Sequence, residues 1–97
     1  TNLGIAATSL YNGTLTSGSI TFNYGNYNFY VIIGRPSSTA SRASLVVPKI
    51  MLTTSAVSFQ ITDESNYKSF NLSYSGSLVT LAIQGGNGQI NRVFGIN

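Results

Sequence analysis

The chain has 97 residues, with five Lys or Arg against two Asp or Glu, a formal charge of +3, and neither His nor Cys. That length fits one compact domain, and the missing residues exclude disulfides and any thiolate or imidazole metal site. Charged residues make up only 7% of the chain while 42% of it is hydrophobic, which excludes intrinsic disorder, a state built on low hydrophobicity and high net charge.

Period two dominates the pattern. Ile5, Ala7, Ser9 and Tyr11 alternate with Ala6, Thr8 and Leu10, and Asn12-Gly13 reads as the turn that closes this first strand. After the break at Ser17-Gly18, Ile20, Phe22 and Tyr24 alternate, and Gly25-Asn26 is a second turn signal. Tyr27 to Ile33 is a near-continuous apolar and aromatic run, the pattern of a strand covered on both faces. Gly34-Arg35-Pro36 ends it, and Ser37 to Ser41 is a small-residue loop. Leu45-Val46-Val47 is a short strand stopped by Pro48, which has no N–H for a ladder, and residues 49–55 hold one helical turn or a loop.

Val57, Phe59 and Ile61 alternate next, followed by the polar loop Asp63-Glu64-Ser65-Asn66. Phe70, Leu72 and Tyr74 alternate again before Ser75-Gly76 turns the chain into a strand from Leu78 to Ile83. Gly85-Gly86-Asn87-Gly88 reads as a loop ahead of the last strand, Ile90 to Ile96. About eight short strands without a helix of credible length predict a single all-β domain over residues 1–97. The architecture expected is an antiparallel β-sandwich or barrel, most simply jelly-roll-like.

The inventory argues against catalysis. Without His or Cys the usual bases and thiol nucleophiles are missing, and the only acids, Asp63 and Glu64, are adjacent. Neighbours on a strand point to opposite faces, whereas glycoside hydrolysis needs two carboxyls facing each other about 5–9.5 Å apart. No enzyme activity, cofactor or metal is therefore expected. The cations Arg35, Arg42, Lys49, Lys68 and Arg92 are scattered, so no basic stripe for nucleic acid is read. No apolar run reaches the roughly 18–20 residues of a membrane span. The sequons Asn12-Gly13-Thr14 and Asn71-Leu72-Ser73 are read as chance matches in a chain holding 14 Ser, 10 Thr and 10 Asn. All five phenylalanines (22, 29, 59, 70 and 94) lie on alternating apolar stretches and are assigned to the core.

Loops remain for recognition, because strand interiors are committed to burial. Asp63, Glu64, Asn66 and Tyr67 put two carboxylates, an amide and a phenol within five residues, a mixture that could grip a polyol. Arg35, just past the most buried strand, is the candidate partner for a phosphate or carboxylate.

The order of features also resembles a known family. Leu10-Tyr11-Asn12-Gly13 leads to Ser17-Gly18-Ser19-Ile20-Thr21-Phe22, then to Tyr27-Asn28-Phe29-Tyr30-Val31-Ile32-Ile33-Gly34. Val47-Pro48, Phe70-Asn71-Leu72-Ser73-Tyr74 and the closing Ile90-Asn91-Arg92-Val93-Phe94-Gly95-Ile96 follow. In pattern and composition this is similar to the head module at the C-terminal end of tail-fibre and baseplate receptor-binding proteins of tailed phages, particularly phages of lactic-acid bacteria. The resemblance implies a homotrimeric β head at the tail tip of a virion, adhering to bacterial cell-wall saccharide or teichoic-type polymer, and it carries over no ligand residue. A start at Thr1 rather than Met fits a C-terminal piece of a longer chain. The other readings kept open are an adhesin module of a bacterial surface protein and a purely structural trimerisation or capsid-decoration domain.

Self-association is also expected on physical grounds. A domain this small buries only about 60–65% of its unfolded surface and is marginal alone. Its charge-poor surface offers little repulsion against association.

Overall fold

The computed structural model describes residues 7–97, so Ile5 and Ala6, assigned above to the first strand, lie outside the described residues. Eight strands follow in order: β1 (Ala7–Leu15), β2 (Ser19–Asn23), β3 (Phe29–Arg35), β4 (Ala43–Pro48), β5 (Val57–Thr62), β6 (Tyr67–Ser75), β7 (Leu78–Gly86) and β8 (Gln89–Ile96). One 3-10 turn, Lys49–Met51, sits between β4 and β5, where residues 49–55 left room for a helical turn. The strands form two four-stranded antiparallel sheets, β1-β8-β3-β4 and β2-β7-β6-β5. The protein is an all-β sandwich. The pairs β1:β8 and β2:β7 nest as they do in a jelly roll, while β3:β4, β5:β6 and β6:β7 join sequence neighbours.

The alternation seen in the sequence becomes the inner faces of the two sheets. Tyr30 and Ile32 of β3, Val47 of β4 and Ile90 and Val93 of β8 meet Phe22, Ile61, Phe70, Leu72, Val79 and Leu81 of the other sheet. Each such side chain contributes about 1.5–3 kcal/mol on burial, before chain entropy offsets most of the sum. Tyr30 and Lys68 carry polar groups into this interior, and both are bonded to backbone carbonyls. Tyr30 donates its hydroxyl to Tyr24 O at 2.5 Å. The Lys68 ammonium donates to Thr16 O and Gly86 O, both at 2.8 Å.

Four expectations change. Asn12-Gly13 does not turn the chain: β1 runs through it to Leu15, and the register slips between Ser9 and Tyr11 and again between Asn12 and Leu15. Two β-bulges thus absorb residues that a hairpin would have used. Gly85 and Gly86 are not loop either. They extend β7 opposite Ser69 and Lys68, with Gly86 at φ +95 and the Tyr67 carbonyl packed where a Cβ would stand.

The run 27–33 begins its strand at Phe29, and only one of its faces is covered. Tyr30 and Ile32 point into the core, while Phe29 is 41% exposed and Val31 and Ile33 are half-buried. Phe29 and Phe94 therefore leave the expected core. A sandwich of two sheets has two outer faces, and that of β1-β8-β3-β4 carries an apolar patch beside the polar side chains of Ser9, Ser44 and Arg92. Cross-strand rows place Val46, Val31 and Phe94 side by side, with Pro48, Phe29 and Ile96 in the next outward row. Val46 is 56% exposed, and the adjoining turn holds out Ile50 and Met51.

Candidate functional site

The acidic loop closes on itself. Asp63 Oδ1 accepts the backbone N–H groups of Ser65 at 3.0 Å and Asn66 at 2.8 Å, and Asp63 N donates to Asn66 O at 3.0 Å. Thr62 Oγ1 donates to the carbonyls of Asp63 and Asn66 at 3.0 and 3.2 Å. The Asn66 side-chain oxygen takes Asn87 Nδ2 at 2.6 Å. This is an Asx turn that joins β5 to β6, and Asp63 Oδ1 and Thr62 Oγ1 serve the turn. Glu64 is exposed on the same loop. Tyr67 opens β6 and lies alongside Gly86 and Gly85, 42% exposed.

Arg35 belongs to a different place. The two come close through the backbone, because Gly88 donates to Tyr67 O at 3.0 Å and itself packs on the carbonyls of Arg35 and Pro36. Their side chains do not share a site: Arg35 lines a cleft of about 500 Å³ with Asn12, Gly13, Thr14, Ile33, Arg42, Gln89, Asn91 and Arg92. None of Asp63, Glu64, Asn66 or Tyr67 lines it.

The cleft arises where three strands lose register together. Along β3 and β8 the pairing steps from Ile33↔Arg92 to Gly34↔Ile90, which leaves Asn91 as the extra residue. On the other side of β8, Asn12 pairs with Arg92 and Leu15 with Ile90. The strands therefore part around Asn91 with Gly13 and Thr14 facing it. Bulges re-aim side chains in this way. Gly34 is needed here: a Cβ would strike the Gln89 carbonyl and press on Ile61 and Ile90 at 3.1 Å.

Electrostatics single the cleft out. It gathers Arg35, Arg42 and Arg92, the three arginines of the chain, and no carboxylate lines it. The two lysines are committed elsewhere. Lys68 is buried as described, and Lys49 donates to Gly25 O at 2.6 Å with its ammonium 4.0 Å from the centre of the Tyr24 ring. Burial lowers the pKa of both lysines.

Within the cleft the arginines are only partly engaged. Arg35 Nη1 donates to Ser38 O at 3.1 Å, and Arg92 Nη2 reaches Ser9 Oγ at 3.5 Å while its guanidinium lies 4.5 Å over the Phe94 ring. Their Nε–H groups are shut away from solvent without a partner, and so is Asn91 Oδ1. Unmatched buried groups cost about 1–3 kcal/mol each, so such a cluster is a feature to be explained.

These groups can bind but have no evident way to move a proton at neutral pH. The lining offers guanidiniums, amides, a hydroxyl and backbone, with no carboxylate, imidazole or thiol. Among the described residues no cluster of His, Cys, Asp or Glu could hold a metal ion, and no helix is long and apolar enough to cross a membrane.

Sequence reasoning named Arg35 and missed Arg42, Arg92, Asn91, Gln89 and the Asn12–Thr14 segment. Their one visible signal was that three of the five cations are arginines. Comparison with known proteins finds no matching family model, no similar curated protein and no similar solved structure.

Proposed function

We propose that this domain is a non-enzymatic adhesion module, the receptor-binding head of a tailed-phage tail fibre or baseplate, which holds bacterial cell-wall saccharide or teichoic-type polymer at the arginine cleft. The observation that carries the binding role is the cleft itself. Three arginines converge there with no acid among them, and buried polar atoms are left without partners. The assignment to a phage head rests on the pattern of the chain, from the apolar and aromatic Tyr27–Gly34 stretch to the closing Ile90–Ile96 stretch.

The module works as a homotrimer on the virion. The apolar outer row of Phe29, Val31, Val46 and Phe94 supports self-association by offering surface that a small, marginal domain gains from burying. Several shallow sites in one rigid head convert weak contacts into avidity, because later contacts become intramolecular.

The deciding experiment incubates the purified domain with cell walls from a panel of Gram-positive strains. Strain-selective retention is expected, and its absence across the panel would remove the adhesion role. Light scattering at micromolar concentration is expected to give a trimer, and Phe29→Asp with Val46→Asp a monomer. A monomeric parent domain would remove the oligomer from the proposal.

A further inference from the structure

Resting on the reading of the cleft as the binding site, we infer that it takes an oxyanion with a free hydroxyl on the carbon next to the one that carries it. Arg35 and Arg92 hold the oxyanion, and Asn91 Oδ1 accepts the hydroxyl. The ligand class is an acidic saccharide unit such as a uronate, or a phosphorylated polyol. A neutral sugar is not held.

The positive half follows from the guanidiniums. Each carries five N–H donors in a planar fork, and the Nε–Nη edge matches carboxylate or phosphate bidentately. Arg35 commits one Nη to Ser38 O, and Arg92 commits one to Ser9 Oγ and stacks on Phe94. These contacts tether the side chains and leave both Nε–H groups unmatched. Binding requires a turn about the last side-chain torsions, because both Nε–H groups are shut away from solvent in the free domain. Arg42, exposed at the rim, adds charge without being tethered.

The second half follows from Asn91, which is 5% exposed. Its Nδ2 donates to Gly13 O at 3.3 Å and to Gln89 Oε1 at 2.7 Å. The bond to Gly13 O requires the amide nitrogen on that side, which sets the orientation of the side chain. Oδ1 is left as a buried acceptor with nothing to accept. An anion cannot satisfy it, but a hydroxyl can. Donors for an anion beside an acceptor for a hydroxyl define a two-part ligand, and bare phosphate or sulfate matches only one part. A DNA backbone fits poorly, because its phosphodiesters lack the free hydroxyl and the lining holds no aromatic ring for a base to stack on.

The test titrates the isotope-labelled domain with glucuronate, glycerol 3-phosphate, glucose, glycerol and a ten-nucleotide single-stranded DNA. The readouts are the Arg35 and Arg92 Nε–H signals and the Asn91 side-chain amide. Glucuronate or glycerol 3-phosphate is expected to move all three and to bind roughly tenfold or more tightly than its neutral counterpart, a difference of about 1.4 kcal/mol. Whichever acid binds more tightly names the source of the oxyanion. Arg35→Gln with Arg92→Gln, and separately Asn91→Asp, which sets a carboxylate against the anion, should each lose that preference. Arg42→Gln tests the cationic half at an exposed position that does not disturb folding, and a smaller loss is expected there.

Equal binding of glucose or glycerol, shifts confined to other residues, or tighter binding of the DNA would overturn the inference. The wall assay separates it from the broader reading. Acids seated in the cleft with no wall retained would leave this site standing and remove the adhesion role. Walls retained while both acids stay inert would do the reverse.

Discussion

The loop after β5 and the cleft beside β8 are both dense in polar side chains, yet they are opposites. In the loop, Asp63 caps two backbone N–H groups and Asn66 is met by Asn87. In the cleft, Arg35, Arg92 and Asn91 each keep a buried atom without a partner. A local run of polar residues finds partners within itself and in the adjacent β7–β8 loop, because the side chains that could bind a ligand are also those that shape a turn. Residues brought together from β1, β3 and β8 were not selected by turn geometry, so their spare donors and acceptors call for another explanation. Polar density therefore does not by itself mark a site; unsatisfied buried polar groups are the feature that calls for an explanation.

The largest expected effect tests the cleft. Arg35→Ala with Arg92→Ala should weaken retention on cell walls by roughly a hundredfold or more. Hydrogen bonds to charged groups are worth about 1.5–3 kcal/mol each. Thermal stability should stay level or rise slightly, since the change removes two unmatched donors and some like-charge repulsion. A large fall in melting temperature without loss of retention would make these arginines structural and erase the contrast with the loop.

An intermediate effect tests Tyr30 and Lys68, whose buried polar groups are bonded to backbone carbonyls. Burial first, and then the neighbouring Tyr24 and Tyr27 hydroxyls, push the Tyr30 phenol up to about 12 from 10.0. The folded state thus favours the neutral phenol, while the unfolded chain ionises near 10. This contribution is complete below pH 10 and is lost between pH 10 and 12. Two pH units at about 1.4 kcal/mol each bound the loss near 3 kcal/mol.

Lys68 works the other way. Its pKa is lowered by burial, so the folded state disfavours the ammonium. That cost disappears as the pH rises towards the ordinary lysine value of 10.5. Denaturant titrations across pH 8–12 should show stability climbing and then falling. Tyr30→Phe should flatten the fall and Lys68→Met the climb. If Tyr30→Phe leaves the alkaline loss intact, another group carries it.

Much of the fold was legible because alternation is a local signal. Val57, Phe59 and Ile61 declare β5, and Phe70, Leu72 and Tyr74 declare β6, without reference to anything distant. The Ser75-Gly76 turn followed from a glycine that adopts φ +61. What stayed hidden depended on pairing between the ends of the chain. Asn12-Gly13 is a sound turn signal until β8 pairs along it and makes it a bulge. Arg92 looked like an isolated cation because Arg35 and Asn12 lie far from it in sequence. The apolar outer face was hidden for a similar reason, since Phe29 and Phe94 show the same alternation as core residues. Only the number of sheets decides which face is covered.

The smallest expected effect sharpens the comparison most, because it concerns the residues that the sequence favoured. Asp63→Ala removes the carboxylate that receives the N–H groups of Ser65 and Asn66. The loss resembles that of a helix-capping side chain, typically about 1 kcal/mol. In a domain of this size that lowers the melting temperature by about 4–8 °C. Tyr67→Ala strips a ring from beside Gly86 and leaves the Lys68 ammonium with its two carbonyls. Neither change reaches the cleft lining, so retention on cell walls should stay within about twofold of the parent, a difference of roughly 0.4 kcal/mol. A tenfold loss of retention with an unchanged melting temperature would return the site to the loop. It would also show that a hydrogen-bonded turn can bind ligand while keeping its own bonds.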